Sequence, residues 1–440
     1  MLKVLKFGGT SMADAKQFAK VKAIVESDEA RRVVVVSAAG KRFSDDNKIT
    51  DLLYLCHAHL TYGVSYKNVF KMVSERYIQI KEDLGLTVDI EKDLENISKK
   101  MDKGISQDEL VSRGEYLSAK LMADYLGYEF VDAANWIRFK GDGTVDTDKS
   151  YKLLQKLATN KKVVIPGFYG TTSSGEIKVM SRGGSDITGA LAAAALDADV
   201  YENWTDVSGI LMADPRIVKD PQPIERITYD ELRELSYMGA QVLHEGTIFP
   251  VREKNIPLNI RNTNAPEHPG SYVMDNFDDS GDNPDQFVTG IAGKKNFSAV
   301  TISKAGLCSQ IGFLRMALEC FEKQKINVEY LPVGIDDVTI VVPTEQVEKC
   351  EYELLAEIQR KLNPDSVNVV KGLAIIAVVG RKMANKPGMS GRLFAALGNN
   401  DVNIRLISQA SRELNIIVGV NNEDFEKVVN ILYNSFVNKA

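Results

Sequence analysis

Short, unbroken apolar runs alternate along the first part of the chain with longer stretches in which apolar side chains return every three or four positions. The runs at 32–37 (RVVVVS), 162–165 (KVVI) and 256–260 (IPLNI) are rich in β-branched residues, further strands are expected at 2–5 and 200–202, and the long segments that the runs bracket read as amphipathic helices. Continuous rather than alternating apolar character predicts strands covered on both faces. The expected architecture to about residue 260 is therefore α/β, a mostly parallel central sheet with helices on both faces.

Beyond that point the texture changes. Residues 262–287 (from NTNAPEHPGS to DNFDDSGDNPDQF) are crowded with Pro, Gly, Asn and Asp, which predicts an exposed connection and a domain boundary near 290. A repeat follows. Gly312 leads through a helical stretch to Ile326-Asn327-Val328 and a strand at 338–342; Gly388 leads through an equally long one to Val402-Asn403-Ile404 and a strand at 414–418. With the strands at 300–303 and 373–379, each unit forms a small ferredoxin-like module, unless the matched spacing joins two unrelated α+β hairpins. The expected division is 1–290, 291–370 and 371–440, with the C-terminal end of the last available to complete the module before it.

Composition narrows the partners. A chain of 440 residues, 44% hydrophobic and 26% charged, is ordinary for a globular protein of more than one domain. A net charge of −6 offers no basic field for nucleic acid, and no apolar run approaches the ~18 residues of a membrane span. Cys56, Cys308, Cys320 and Cys350 form no C-x-x-C pair, and no secretory leader pattern precedes the first strand, so a reduced, cytoplasmic protein is expected. His57 and His59 beside Cys56 have no second ligand cluster, and no protein metal site is expected.

The chemistry concentrates at glycine turns. Lys6-Phe7-Gly8-Gly9-Thr10-Ser11 follows the first strand: glycines let backbone amides approach a bound group, and a following helix and Lys6 add positive charge, which suits an anion such as phosphate. A tight strand-helix connection is the plainer reading. Neither the Walker A spacing nor a G-x-G-x-x-G after a strand is present, so a phosphate site here is of another kind. Ser181-Arg182-Gly183-Gly184-Ser185-Asp186 opens the alanine-rich helix 187–196 as a second candidate anion site, or as a surface Arg and a helix-capping Asp. Trp204-Thr205-Asp206-Val207-Ser208-Gly209-Ile210, then Asp214-Pro215-Arg216, lies on a loop after the strand at 200–202, where ligands gather in α/β sheets and where such residues also simply build turns. Ser112-Arg113-Gly114-Glu115 is expected to open a helix at 116–126, with Glu115 binding a ligand amine or complementing the helix dipole.

Taken in order, KFGGTS, VVVVSAAGK with Thr50 downstream, LVSRGE, MSRGGSD, WTDVSGI followed by ADPR, and GAQVLH resemble the aspartokinases of the amino-acid kinase superfamily, and the duplicated tail resembles their tandem ACT modules. The resemblance covers nearly the whole chain. It implies transfer of the ATP γ-phosphoryl group, with Mg²⁺ on the phosphates, to the side-chain carboxylate of L-aspartate, the first committed step toward lysine, threonine and methionine. By resemblance Lys6 and the amides of Gly8 and Gly9 hold the transferring group, and Asp186 orients Lys6. Arg182 grips the aspartate α-carboxylate, Glu115 takes the α-ammonium, and Ser37, Thr50 and Ser185 complete the acceptor pocket. Thr205, Asp206, Leu211, Asp214, Arg216 and Gln241 line the nucleotide end.

Two positions depart from the family pattern: Gln241 stands where a phosphate-contacting lysine is usual, and Leu211 where a tyrosine is common, so ATP is held with one charge fewer unless Arg216 or Lys219 substitutes. The tail implies feedback by an amino acid, lysine first and threonine second, and a homodimer or homotetramer through the ACT modules. Expected effector contacts are Gly312, Phe313, Leu314, Val328 and Glu329, with Phe313 and Leu314 equally readable as helix core. The rival readings are a sister kinase for glutamate, acetylglutamate or a nucleotide, and a silent amino-acid sensor. From its length, no fused homoserine dehydrogenase is expected.

Overall fold

The computed structural model describes residues 1–180, 183–240, 245–277, 287–384 and 386–437. They fall into two compact units, residues 1–210, 223–229 and 245–277 in the first and 211–222, 230–240 and 287–437 in the second.

The first unit is built on eight strands: β1 (Lys3–Phe7), β2 (Arg31–Val36), β3 (Glu129–Phe130), β4 (Val163–Pro166), β5 (Val200–Thr205), β6 (Arg226–Thr228), β7 (Leu258–Asn262) and β8 (Ser271–Met274). Their order is β6-β8-β7-β5-β1-β2-β4-β3. Every pairing is parallel except β7 with β8. The apolar runs become strands because helices cover both faces: Val4, Leu5, Phe7 and Val33 to Val36 are all buried. The supposed connection after Asn262 is not wholly loop. Gly270, in the left-handed region at φ +75°, turns the chain into β8, whose Ser271 is fully buried and donates to the Ile224 carbonyl.

Four helices position the site: α1 (Ala15–Glu26), α2 (Ile49–Thr61), α3 (Lys67–Leu84) and α4 (Gln107–Leu126), with α5 (Gly184–Ala195) against the sheet centre. The small side chains of α5 allow close approach. A Cβ on Gly189 would lie 2.5 Å from the Tyr201 hydroxyl, so only glycine fits. The loop after β2 is pinned from α3: the buried Arg76 guanidinium donates to both Asp46 oxygens, at 2.9 and 2.7 Å, and to the Gly40 and Ala13 carbonyls. With Arg42 donating as well, Asp46 sits well below the usual carboxylate range. Truncating one partner of a buried, hydrogen-bonded ion pair costs about 3–5 kcal/mol. Arg76→Ala should therefore lower the melting temperature by several degrees, and loosen the loop carrying Ser37, as read by calorimetry and amide exchange.

In the second unit five antiparallel strands form one sheet: β9 (Gly290–Ser303), β10 (Asp337–Pro343), β11 (Ser366–Val379), β12 (Leu406–Ser408) and β13 (Asn415–Asn421), ordered β10-β9-β11-β13-β12. β9 and β11 are long enough to run through both repeats. Residues 290–294 of β9 pair with 375–379 of β11, and 299–303 with 366–370. The helices α6 (Tyr229–Tyr237), α7 (Phe313–Lys323), α8 (Glu351–Leu362), α9 (Met389–Gly398) and α10 (Phe425–Phe436) belong here, apart from the first residue of α6. The repeat is real in the backbone: Gly312 and Gly388 precede α7 and α9 with φ of +82° and +89°. Residues 230–240 are held by side chains of this unit. Fully buried Glu231 accepts from the Thr289 hydroxyl at 2.6 Å and the Arg381 amide at 2.8 Å, and Glu234 accepts from the Asn415 amide at 2.6 Å.

Candidate functional site

In the first unit the turns after β1, β2 and β5 and the N-terminus of α5 all lie at the carboxyl edge of the parallel strands, where open α/β sheets gather ligands. Lys6 is nine-tenths buried, and its ammonium lies 2.5 Å from Oδ1 of Asp186, in the first turn of α5. A buried cation needs such a partner. Gly8 leaves room beside it: a Cβ there would stand 3.6 Å from the Lys6 ammonium, so any longer side chain would occupy that space. Gly9 and Gly40 press backbone on backbone, with the Gly40 amide donating to the Gly9 carbonyl at 2.8 Å and a Gly40 Cβ falling 2.5 Å from the Gly9 carbonyl carbon. The turns after β1 and β2 are thus one layer. Gly183 opens α5 at φ +79°, and half-buried Ser185 packs so closely on Gly167 that a Cβ there would come within 2.7 Å of it.

Glu115 is placed differently from the sequence expectation. α4 begins at Gln107, capped by Ser106, whose hydroxyl accepts the Glu109 amide. Glu115 is therefore in mid-helix, and the dipole-complementing role falls away because that effect is confined to the first turn. Gly114 lets the helix touch the β2 loop, since a Cβ there would be 2.8 Å from the Ala38 Cβ and 3.4 Å from Ile49. Ala38 is the neighbour of Ser37, and Ile49 opens α2, which carries half-buried Thr50. Burial raises the Glu115 carboxyl to about 8, with the Ala38 amide only partly offsetting it, and its Oε2 meets no donor among the described residues. A buried carboxyl oxygen without a partner is the arrangement an incoming ammonium would satisfy.

Of the residues expected to line a nucleotide, Thr205 donates to Asp206 at 3.2 Å within the first unit. In the second, the exposed Arg216 guanidinium forks onto Asp214 at 2.6 and 3.0 Å, so this cation is already engaged within its own turn. Leu211 is half-buried. Arg182 and Gln241 lie outside the described residues.

Of the expected effector contacts, Phe313 is core, buried with Val300, Ile302 and Ile340, and Leu314 and Val328 pack partly on the same cluster. Glu329 is half-buried and already engaged. Its carboxylate accepts from the Tyr237 hydroxyl at 2.5 Å, a bond that, after desolvation, helps push that phenol up to about 12. Sequence reasoning missed Asn203, buried on β5 beside Asp186, as a lone Asn in a strand carries no motif; it also missed Arg76 and Asp46.

All four cysteines are free thiols, and no described helix is long and apolar enough to cross a membrane. The model of the amino acid kinase family matches residues 1–262, and an ACT domain model matches 376–436. Among curated proteins the chain is similar to aspartokinase 3 of Bacillus subtilis, 37% identical over 99% of this chain and 98% of that one. Among solved structures it resembles Clostridium acetobutylicum aspartate kinase, described as an allosteric enzyme, at 46% identity and TM-score 0.91 over 99% of both chains. It also resembles Escherichia coli aspartokinase III at 28% identity. That enzyme's complex with lysine and aspartate gives TM-score 0.73 over 99% of both chains, and its complex with aspartate and ADP gives 0.72 over 100% of both.

Proposed function

We propose residue roles for a chain that belongs to the amino acid kinase family and, within it, to the aspartokinases. It uses ATP to phosphorylate the side-chain carboxylate of L-aspartate, giving 4-phospho-L-aspartate, under allosteric control by an end-product amino acid. The observation that carries the residue reading is the buried Lys6–Asp186 pair at the mouth of the first glycine turn.

In phosphoryl transfer the protein mainly aligns two anions and screens their charge, with no covalent nucleophile required. Lys6 and the Gly9 amide hold the migrating group and Asp186 aims Lys6, whereas the Gly8 amide, expected to share that role, is taken by the Trp204 carbonyl at 3.1 Å, so Gly8 contributes the open space beside the Lys6 ammonium. Glu115 receives the aspartate ammonium, Arg182 its α-carboxylate, and Ser37, Thr50 and Ser185 close the acceptor pocket. Thr205, Asp206, Leu211, Asp214, Arg216 and Gln241 face the nucleotide. Mg²⁺ screens the phosphates when bound.

Residues 1–290 form the catalytic domain in this reading, and 291–370 and 371–440 the two ACT modules. Lysine is the proposed effector, meeting Glu329 through its ammonium beside Gly312, Phe313, Leu314 and Val328, and the modules pair two or four chains in the cytoplasm. Support comes from the lysine complex of the Escherichia coli relative and from the half-buried Glu329 carboxylate, which an ammonium would share with the Tyr237 hydroxyl. ADP release should be fastest with aspartate in a panel containing glutamate and acetylglutamate. Lysine at millimolar level should lower that rate and raise the melting temperature, because a ligand of the folded state must stabilise it. Release with glutamate instead would overturn the substrate, and indifference to lysine with a response to threonine would overturn the effector.

A further inference from the structure

Asn203 occupies a position that packing alone does not explain. It sits in the middle of β5, directly opposite Lys6 in the parallel ladder with β1. Asn is disfavoured within strands, and a buried amide costs stability unless each polar atom finds a partner. Only 4% of the residue is exposed. Its Nδ2 donates to Oδ1 of Asp186 at 3.1 Å, the same oxygen that takes the Lys6 ammonium at 2.5 Å. Because a carboxylate only accepts, the donor end of the amide faces Asp186 and Oδ1 points away. That Oδ1 is buried and meets no donor among the described residues. Two strand positions earlier, on the same face, the Tyr201 hydroxyl donates to the Asp186 backbone carbonyl at 3.0 Å. Strand β5 thus fixes Asp186 twice, once through its main chain and once through its carboxylate.

We propose that Asn203 is a positioning residue for phosphoryl transfer, holding the Asp186 carboxylate in the orientation from which it aims the Lys6 ammonium. The proposal rests on the roles given above to Lys6 and Asp186. Two donors on one oxygen limit the rotation of the carboxylate, so the ammonium is presented toward the space that Gly8 leaves open. The effect falls on the migrating phosphoryl group and not on the acceptor, so it belongs in kcat and not in KM for aspartate.

The test compares Asn203→Ala and Asn203→Asp in the full chain, with kcat, KM for aspartate and melting temperature measured on each. Loss of one hydrogen bond to a charged group predicts a kcat about 10- to 100-fold lower, with KM within about twofold of the unchanged chain. The order of the variants separates positioning from space-filling. Asn203→Asp keeps the shape but replaces the donor with an acceptor beside Asp186, so it should be the slower of the two; a residue that merely fills space would make the alanine variant the worse. If Asn203→Ala does not fold, Asn203→Ser, which keeps a hydroxyl donor, takes its place and should still outpace Asn203→Asp. Unchanged kcat in these variants, with Lys6→Met inactive, overturns the role of Asn203 alone. Turnover surviving Lys6→Met overturns the reading beneath it.

Discussion

Replacing Lys6 by methionine is expected to lower kcat by about 10²–10³-fold, the usual cost of removing one preorganised charge-stabilising donor from a water-poor site. The side chain stays unbranched, one atom shorter, and loses its charge and its donors, so the β1 strand, where Val4, Leu5 and Phe7 supply the packing, is not asked to change. One complication is electrostatic. Asp186 would be left without its 2.5 Å partner, and an unpaired, largely buried carboxylate destabilises the fold in its own right. The double variant Lys6→Met with Asp186→Asn separates the two effects: charge balance returns, so the melting temperature should recover toward that of the unchanged chain, while turnover should not. ADP release and calorimetry on the three proteins read both. If the double variant regained activity, the lysine would be serving the fold and not the reaction.

What could be read from the sequence divides along physical lines. The parallel sheet was legible because strands buried on both faces need unbroken apolar runs, and the glycine turns were legible because close backbone approach tolerates nothing larger. Gly40 against Gly9 shows that constraint in the fold. Helix starts were less visible. The segment SRGE looks like an opening because it carries Gly and charge, yet the cap lies earlier, where Ser106 and Glu109 form the S-x-x-E pattern that marks a helix N-terminus. The strand at Ser271–Met274 was hidden by its flanks, since four residues between Gly and Asp carry too little pattern to outweigh them. Pairing was illegible altogether. A repeat says that two modules exist, but not that β9 and β11 each run through both, because register depends on partners distant in sequence. Asn203 and Arg76 escaped for the same reason: each is a single residue whose meaning lies in a group far along the chain.

Glu115 yields the second large effect, and its sign follows from burial. With the carboxyl raised from its ordinary 4.5 to about 8, the ligand-free protein at neutral pH holds Glu115 mostly protonated. An ammonium can be gripped only by the carboxylate. Aspartate binding must then expel a proton, and KM for aspartate should fall as pH rises from about 6 toward 8.5, flattening once the carboxyl is ionised without help. Glu115→Gln should raise KM by about 10- to 100-fold, the cost of one lost charged hydrogen bond in a dry site, and should abolish that pH dependence. Stability should move the opposite way. Between pH 4.5 and about 8 the unfolded chain ionises this group while the folded chain does not, so the unmodified protein loses stability as pH rises through that window and levels off above it. Glutamine carries no such penalty. Its melting temperature should therefore match that of the parent near pH 5 and exceed it by a few degrees at pH 8.5. A glutamine variant equally destabilised at both pH values, with KM unmoved, would assign Glu115 to packing between α4 and the β2 loop rather than to the substrate.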